Sequence, residues 1–310
     1  MSPSYRDLAE AHACDYRARV LRIGPGEHNH WLTEIDGNLG KNFVESFRED
    51  ILIGLKDRKR AGKGINWKRT TTNLLSSQAM CFNLFFPLQS RLNLLTHCLK
   101  HEIPEVNHVN SLCLEFTPPN EILGDQAGFS GVDCDALIRY NRTDGKTGIV
   151  VIETKYVERE FSNCAFRRKK ECASDTFLSG DLSECHYKSK KNYKYWDVTN
   201  EGKLLKQGIL EDRPCPFGDG KWQLWTNFCL SYGIKKIENA EDFHFIALFP
   251  RGNSKLSNHS EIFDDFRSFI SQPERFHTIF LEDLVARIKD LVIPGIEKSW
   301  INEFEEKYLF

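Results

Sequence analysis

The hydrophobic pattern changes character several times along the chain, and each change marks an element. From Tyr5 to Leu21 and from Gly40 to Arg60 the spacing predicts helices, separated by "GPGEHNHWLTEIDG". Residues 76–100, "SSQAMCFNLFFPLQSRLNLLTHCLK", are strongly apolar and open on serines suited to a helix N-cap, so they predict a long buried helix kinked or broken near Pro87. "SLCLEFTPP" at 111–119 predicts a strand stopped by prolines. Alternating and β-branched residues then run from Asp135 to Tyr140 and from Gly148 to Lys155, and the "TDGK" between them is a hairpin turn. Both faces of that hairpin are apolar: Leu137, Ile149 and Val151 on one, Ala136, Ile138, Val150 and Ile152 on the other. Periodicity fades from Glu158 to about Pro216, which predicts an irregular, partly helical insertion. It returns in "KWQLWTNFCLSYGI", a helix with Trp222, Leu224, Trp225 and Phe228 as apolar positions, and in the buried strand "FHFIALFPRG". From Ser260 onward the pattern predicts helices with a short extended piece at "FHTIFL". The core order is helix, three strands, helix, strand. A sheet covered on both faces makes this an α/β sandwich.

Four charged residues interrupt the apolar hairpin. With the turn centred near Asp144, residues whose numbers sum to about 288 face each other, which sets Asp135 opposite Glu153. Period-two alternation puts Lys155 on the face of Glu153, and Asp133 on the face of Asp135. Two adjacent carboxylates in a dry cleft repel each other strongly even at an effective dielectric of about 20, and so invite a cation. The competing reading is a structural salt-bridge cluster at a strand end.

Composition narrows the remaining choices. A chain of 310 residues buries a full core, and we expect one core with additions: a helical extension over 1–70, a core over 71–255 with an insertion at 158–216, and a C-terminal helical region over 256–310 packed on it. No apolar run reaches the roughly 18 to 20 residues that span a bilayer, and "MSPSYRDLAEAHACDYRARV" carries acids where a signal peptide has its apolar core. Its ten cysteines are scattered in mostly apolar contexts and suit reduced thiols. A cytoplasmic location is therefore expected, with no membrane contact. Cys164, Cys172, Cys185 and His186 could hold zinc, but they lack paired-knuckle spacing. Net charge is only −2, so a polyanion would have to be held by local patches. One is "KDRKRAGKGINWKR" at 56–69; others are "RRKK" at 167–170 and "KSKKNYKYW" at 188–196. In the last, Lys188, Lys190, Lys191 and Lys194 interleave with Tyr193, Tyr195 and Trp196, next to Tyr187, and offer phosphate contacts beside stacking surfaces. That run is the first choice for a nucleic-acid groove.

An Asp on the second strand and Glu153-Thr154-Lys155 on the third resemble the PD-(D/E)XK nuclease superfamily. "SSQAMCFNLFFPL", "LEFTPP", "DALI…ETKYVE" and "WQLWTN…FHFIALFP" are similar to its restriction-endonuclease-like subgroup, with an S-S-Q…N-x-F-x-P-L helix, an E-K-Y-x-E strand end and a Q-L-x-x-N helix. An E-x-K tripeptide alone carries no weight; its placement does. The resemblance covers about Ser76 to Gly252 and implies a restriction-endonuclease-like core with N- and C-terminal helical additions. It further implies that Asp135, Glu153 and the Thr154 carbonyl hold Mg²⁺, with Mn²⁺ as a substitute, and that Lys155 binds or deprotonates the attacking water. Gln78 and Glu115 are candidates for a further ligand or a water-positioning role, Gln223 and Asn227 for residues facing the nucleic acid across the same cleft, and Glu158 lies just past the strand. Val132, Asp133 and Cys134 stand where the family usually has a proline before its acid, which leaves Asp133 and Asp135 as alternatives. The implied activity is metal-dependent cleavage of double-stranded DNA in a prokaryotic restriction or anti-phage system, by a homodimer or with a defence-system partner protein. The alternatives are a catalytically silent accessory nucleic-acid-binding subunit and an RNA-processing nuclease.

Overall fold

The hairpin forms where its alternation predicts, and in the expected register. The computed structural model describes residues 3–60, 64–125, 131–168, 185–210, 215–217, 220–257 and 260–310. Strands β1 (Val106–Phe116), β2 (Cys134–Arg142), β3 (Thr147–Thr154), β4 (Asp242–Phe249) and β5 (Phe276–Phe280) form a mixed sheet in that order. Ala136 faces Ile152 and Leu137 faces Val151, and Gly145 supplies the positive φ that the tight turn between β2 and β3 needs. β1, β2 and β3 run antiparallel; β4 and β5 are parallel to β3. A parallel step requires a crossover, and the Lys221–Ile237 helix lies on the crossover from β3 to β4.

Alternate residues of each strand feed two separate apolar layers. Ala136, Ile138, Val150, Ile152, Ile246 and Leu248 pack with the helices Ser77–Phe85, Leu92–Lys100, Leu281–Leu291 and Ile296–Tyr308. Leu137, Ile149, Val151, Phe245 and Ala247 pack instead against Leu224, Trp225 and Phe228 of the Lys221–Ile237 helix. The helix at Tyr5–Arg19 packs against the one at Ile296–Tyr308, which in turn touches Ser77–Phe85. Both ends of the chain therefore complete the same layer. Among the described residues, no helix is long and apolar enough to cross a membrane.

Several elements differ from the sequence expectation. The helix expected from Gly40 begins only at Arg48, after a 3-10 turn at Glu45–Phe47, because Gly40 takes φ +74° and ends the turn before it. Pro87 does more than kink the 76–100 helix: it opens a 3-10 turn, Pro87–Ser90, between two separate helices. "FHTIFL" is no isolated extended piece but β5, which makes the sheet five strands wide. In the insertion, short helices occupy Ala165–Arg168, His186–Ser189 and Tyr195–Glu201.

Candidate active site

The register brings three carboxylates into one row. Leu114 faces Ala136 and Phe116 faces Cys134, so Glu115 on β1 lies opposite Asp135 on β2. Continuing the β2–β3 register one step past Ala136 and Ile152 puts Asp135 opposite Glu153. Neighbouring strands are about 4.8 Å apart, which sets the spacing of the row. Glu115 does not sit as an ordinary strand residue. Leu112 and Leu114 belong to one apolar layer while Phe116 packs on the other, and the inversion between them is made by Glu115 itself, at φ +47°. A non-glycine residue held there is strained, and such strain gathers at functional sites. Glu115 Oε1 is buried without a hydrogen-bond partner.

Each carboxylate has a different environment. Glu153 is 6% exposed and accepts three bonds: from Lys155 Nζ at 2.8 Å, Gln223 Nε2 at 2.7 Å and Asn227 Nδ2 at 3.1 Å. Asp135 Oδ2 accepts from both the backbone N and Oγ1 of Thr154, each at 2.6 Å. Burial first, and then the Glu153 charge, push the Asp135 carboxyl well above the usual range, against the Thr154 bonds and Lys155. Burial and Asp135 likewise push the Glu115 carboxyl well above its usual range, opposed by Gln78 and Arg58. For Lys155 burial favours the neutral amine, but Glu153 and Glu158 outweigh it and hold the group as an ammonium. That state suits offsetting charge or orienting a water by donation.

A family model described as a restriction endonuclease associating with ARP matches residues 11–309, nearly the whole chain. The chain belongs to this restriction endonuclease family. No curated protein and no solved structure matches it. Membership in a nuclease family gives the carboxylate row its context: a row of buried carboxyl groups beside a lysine is costly as mere structure and useful where phosphodiester chemistry is done.

Around the row, this family member assembles most of the residues picked out by sequence. Gln78 accepts a bond from Thr70 Oγ1, donates to the Gly64 carbonyl at 3.3 Å and favours the charged form of Glu115. Glu158 accepts from Ser77 Oγ at 2.8 Å and from the Tyr156 backbone at 2.7 Å, with Arg69 3.9 Å away. Gln223 and Asn227 face the row as the helical spacing predicts, but both hold Glu153. Asn227 is fully buried, which places it behind the carboxylate and not against a nucleic acid. Asp135 lies between Glu115 and Glu153, whereas Asp133 lies before the strand and acts on the charge of Arg58. Arg58, Arg69 and Thr70 come from the N-terminal extension, which sequence reasoning had left outside the site. The available signal was the position of Arg58, in the helical stripe of Ile51 and Leu55.

The lysine run at 188–194 does not join the row. Its aromatic partners are core residues: Tyr187, Tyr195 and Trp196 are 9%, 1% and 0% exposed and pack on one another and on Trp222 and Trp225. They are not stacking surfaces for bases. Lys188 pairs with Asp197 and Lys194 donates to the Glu121 carbonyl, while Lys190 and Lys191 are exposed. Cys172 and the side chains of 167–170 lie outside the described residues, so the zinc set and the "RRKK" run are not placed. Among the described residues no three His, Cys, Asp or Glu side chains form a ready metal cage. The donors of the row are nonetheless all carboxylate oxygens, one of them, Glu115 Oε1, without a partner. Mg²⁺ needs only one or two such carboxylates, the rest of its shell being water and substrate phosphate. The row fits that ion.

Proposed function

We propose that the chain is a metal-dependent endonuclease that hydrolyses phosphodiester bonds of double-stranded DNA in a prokaryotic restriction or anti-phage system. One observation carries this reading: Glu115, Asp135 and Glu153 share a row across three adjacent strands, with Lys155 at 2.8 Å from Glu153. The order of helix, three strands, helix and strand supports a PD-(D/E)XK core. Asp135 and Glu153, with the Thr154 carbonyl, would hold Mg²⁺, and Mn²⁺ has the same preference for oxygen ligands. When bound, such an ion offsets charge on the phosphate and lowers the pKa of a coordinated water.

The chain's own residues supply the remainder. Gln223 and Asn227 fix the Glu153 carboxylate, and Thr154 fixes Asp135, so that neither has to reorganise as charge develops. The Lys155 ammonium offsets the charge of the phosphate oxygens and orients a water by hydrogen bonding. Glu115 and Gln78 would supply a further ligand or position a second water. The exposed Lys190 and Lys191 are candidates for outer phosphate contacts, with Lys188 and Lys194 partly engaged by the protein. The family's description carries a partner, ARP, and we take a protein of the same system as the expected associate. The test is a cleavage panel: the purified chain on plasmid, linear duplex, single-stranded DNA and RNA, each with Mg²⁺, Mn²⁺ or EDTA. Metal-dependent cutting of duplex DNA is expected. Cutting confined to RNA would reassign the substrate, and binding without cutting in any metal would favour an accessory subunit.

A further inference from the structure

The N-terminal extension sends one arginine toward the carboxylate row. In the helix Arg48–Arg60, Ile51, Leu52 and Leu55 are buried, and Arg58 continues their stripe, three residues past Leu55 and seven past Ile51. Lys56, Asp57, Lys59 and Arg60 around it are exposed; Arg58 alone in this run is half-buried. It is close enough to Glu115 and Asp133 for their charges to act on it. Yet Arg58 Nε and Glu115 Oε1 are both buried and both without a hydrogen-bond partner among the described residues. An arginine held as a plain counter-ion closes its fork on the carboxylate; this one leaves a buried donor unspent.

The following segment is tied down on the same side. Thr70 donates to Gln78, Gln78 donates back to the Gly64 carbonyl, and Arg69 lies 3.9 Å from Glu158, which Ser77 holds. Arg58 and Arg69 therefore place two cations beside a site whose acidic side chains offer a phosphodiester no attraction of their own. A planar guanidinium is the group best matched to a phosphate's paired oxygens. We propose that Arg58 binds the substrate backbone at the mouth of the row, with Arg69 as an outer contact, so that the N-terminal extension forms one wall of the nucleic-acid channel. This rests on the nuclease reading above and names the residue by which that site takes its substrate.

Fluorescence anisotropy of a labelled DNA duplex in EDTA, titrated at several KCl concentrations, tests this without metal or turnover. The variants are Arg58→Met, Arg58→Lys, Glu115→Gln and the double Arg58→Met/Glu115→Gln in the full chain, each with a thermal melt. Removing Arg58 is expected to weaken binding about ten-fold and to lower the slope of log Kd against log [KCl] by about 0.9, one phosphate contact. The same loss should appear between Glu115→Gln and the double variant, where position 115 carries no ionisable group for Arg58 to serve. Arg58→Lys should melt like wild type but recover binding only in part. If Glu115→Gln and the double variant bind with equal affinity and equal slope, Arg58 is only a counter-ion and the proposal falls, while wild-type cutting leaves the nuclease reading standing. A wild type that neither binds nor cuts DNA or RNA sinks both.

Discussion

Replacing Lys155 with Met removes the ammonium that touches Glu153, and its consequence can be worked out from the structure. The two groups meet at 2.8 Å with side chains 10% and 8% exposed. Charges about 4 Å apart at an effective dielectric near 20 attract by about 4 kcal/mol, and removing one partner of a buried pair typically costs about 3 to 5 kcal/mol. Gln223 and Asn227 still donate to Glu153 in the variant, which keeps the loss at the lower end, about 3 kcal/mol. For a chain of this size that is a fall in Tm of about 5 °C in EDTA. Saturating Mg²⁺ should restore most of the loss, so the metal-induced rise in Tm is larger in the variant than in wild type. Cleavage should fall by about two orders of magnitude or more even so, as expected for the loss of a positioned group that orients water and offsets charge. The assay is a set of melts with EDTA and with Mg²⁺, beside one cleavage time course. A variant that melts with wild type in EDTA, or melts early yet cuts at the wild-type rate, would refute the assignment of Lys155.

Other consequences are accessible to the same methods. Glu115→Asn puts a residue tolerant of positive φ at the strained position and removes a buried carboxylate, so the metal-free protein should gain about 1 kcal/mol; a large loss in the melt would mean that Glu115 is a structural keystone. His244 and His277 share a hydrogen bond of 2.9 Å, close to Asp242, Arg142 and Arg275, and burial lowers both to about 4. The folded state thus binds fewer protons than the unfolded one between these values and about 6.5, so stability should fall as pH drops through that window, by about 3 kcal/mol per histidine when complete. A His244→Gln/His277→Gln variant should lose that slope in melts between about pH 7 and 5, and an unchanged slope would assign it to other groups. Lys190→Ala/Lys191→Ala tests the insertion: if both meet phosphates the salt slope falls by about 1.8, and no change returns this run to the solvated surface.

The central part of this architecture was legible because it is written in local terms. A two-residue period and one turn are enough to fix a hairpin, its register and its two faces, and hence the meeting of Asp135 with Glu153 and of Glu153 with Lys155. The i, i+4 spacing of Gln223 and Asn227 likewise showed that they share a face, though not that their partner is Glu153. What was not legible depends on contacts distant in sequence. Arg58 comes near Glu115 and Asp133 because Ile51 and Leu55 anchor the Arg48–Arg60 helix in the core, and nothing in "KDRKR" tells which basic residue turns inward until the stripe of Ile51 and Leu55 is followed past its last apolar member. Tyr187, Tyr195 and Trp196 look like a stacking platform beside lysines, but they interlock with Trp222 and Trp225 from a helix about thirty residues on. β5 is too short for its period to show, and becomes a strand because β4 offers it a parallel edge. The left-handed turn at Glu115 has no sequence signature at all, since a glutamate there is contrary to backbone preference.

The most direct test of the carboxylate row as a metal-dependent catalytic site is nicking and linearisation of supercoiled plasmid by the purified chain, run with Mg²⁺, with excess EDTA, and with Mg²⁺ for Glu153→Gln. The account predicts cutting by the wild type in Mg²⁺ alone, with both other reactions silent. Undiminished cutting in excess chelator, or by the Glu153→Gln protein, would contradict it.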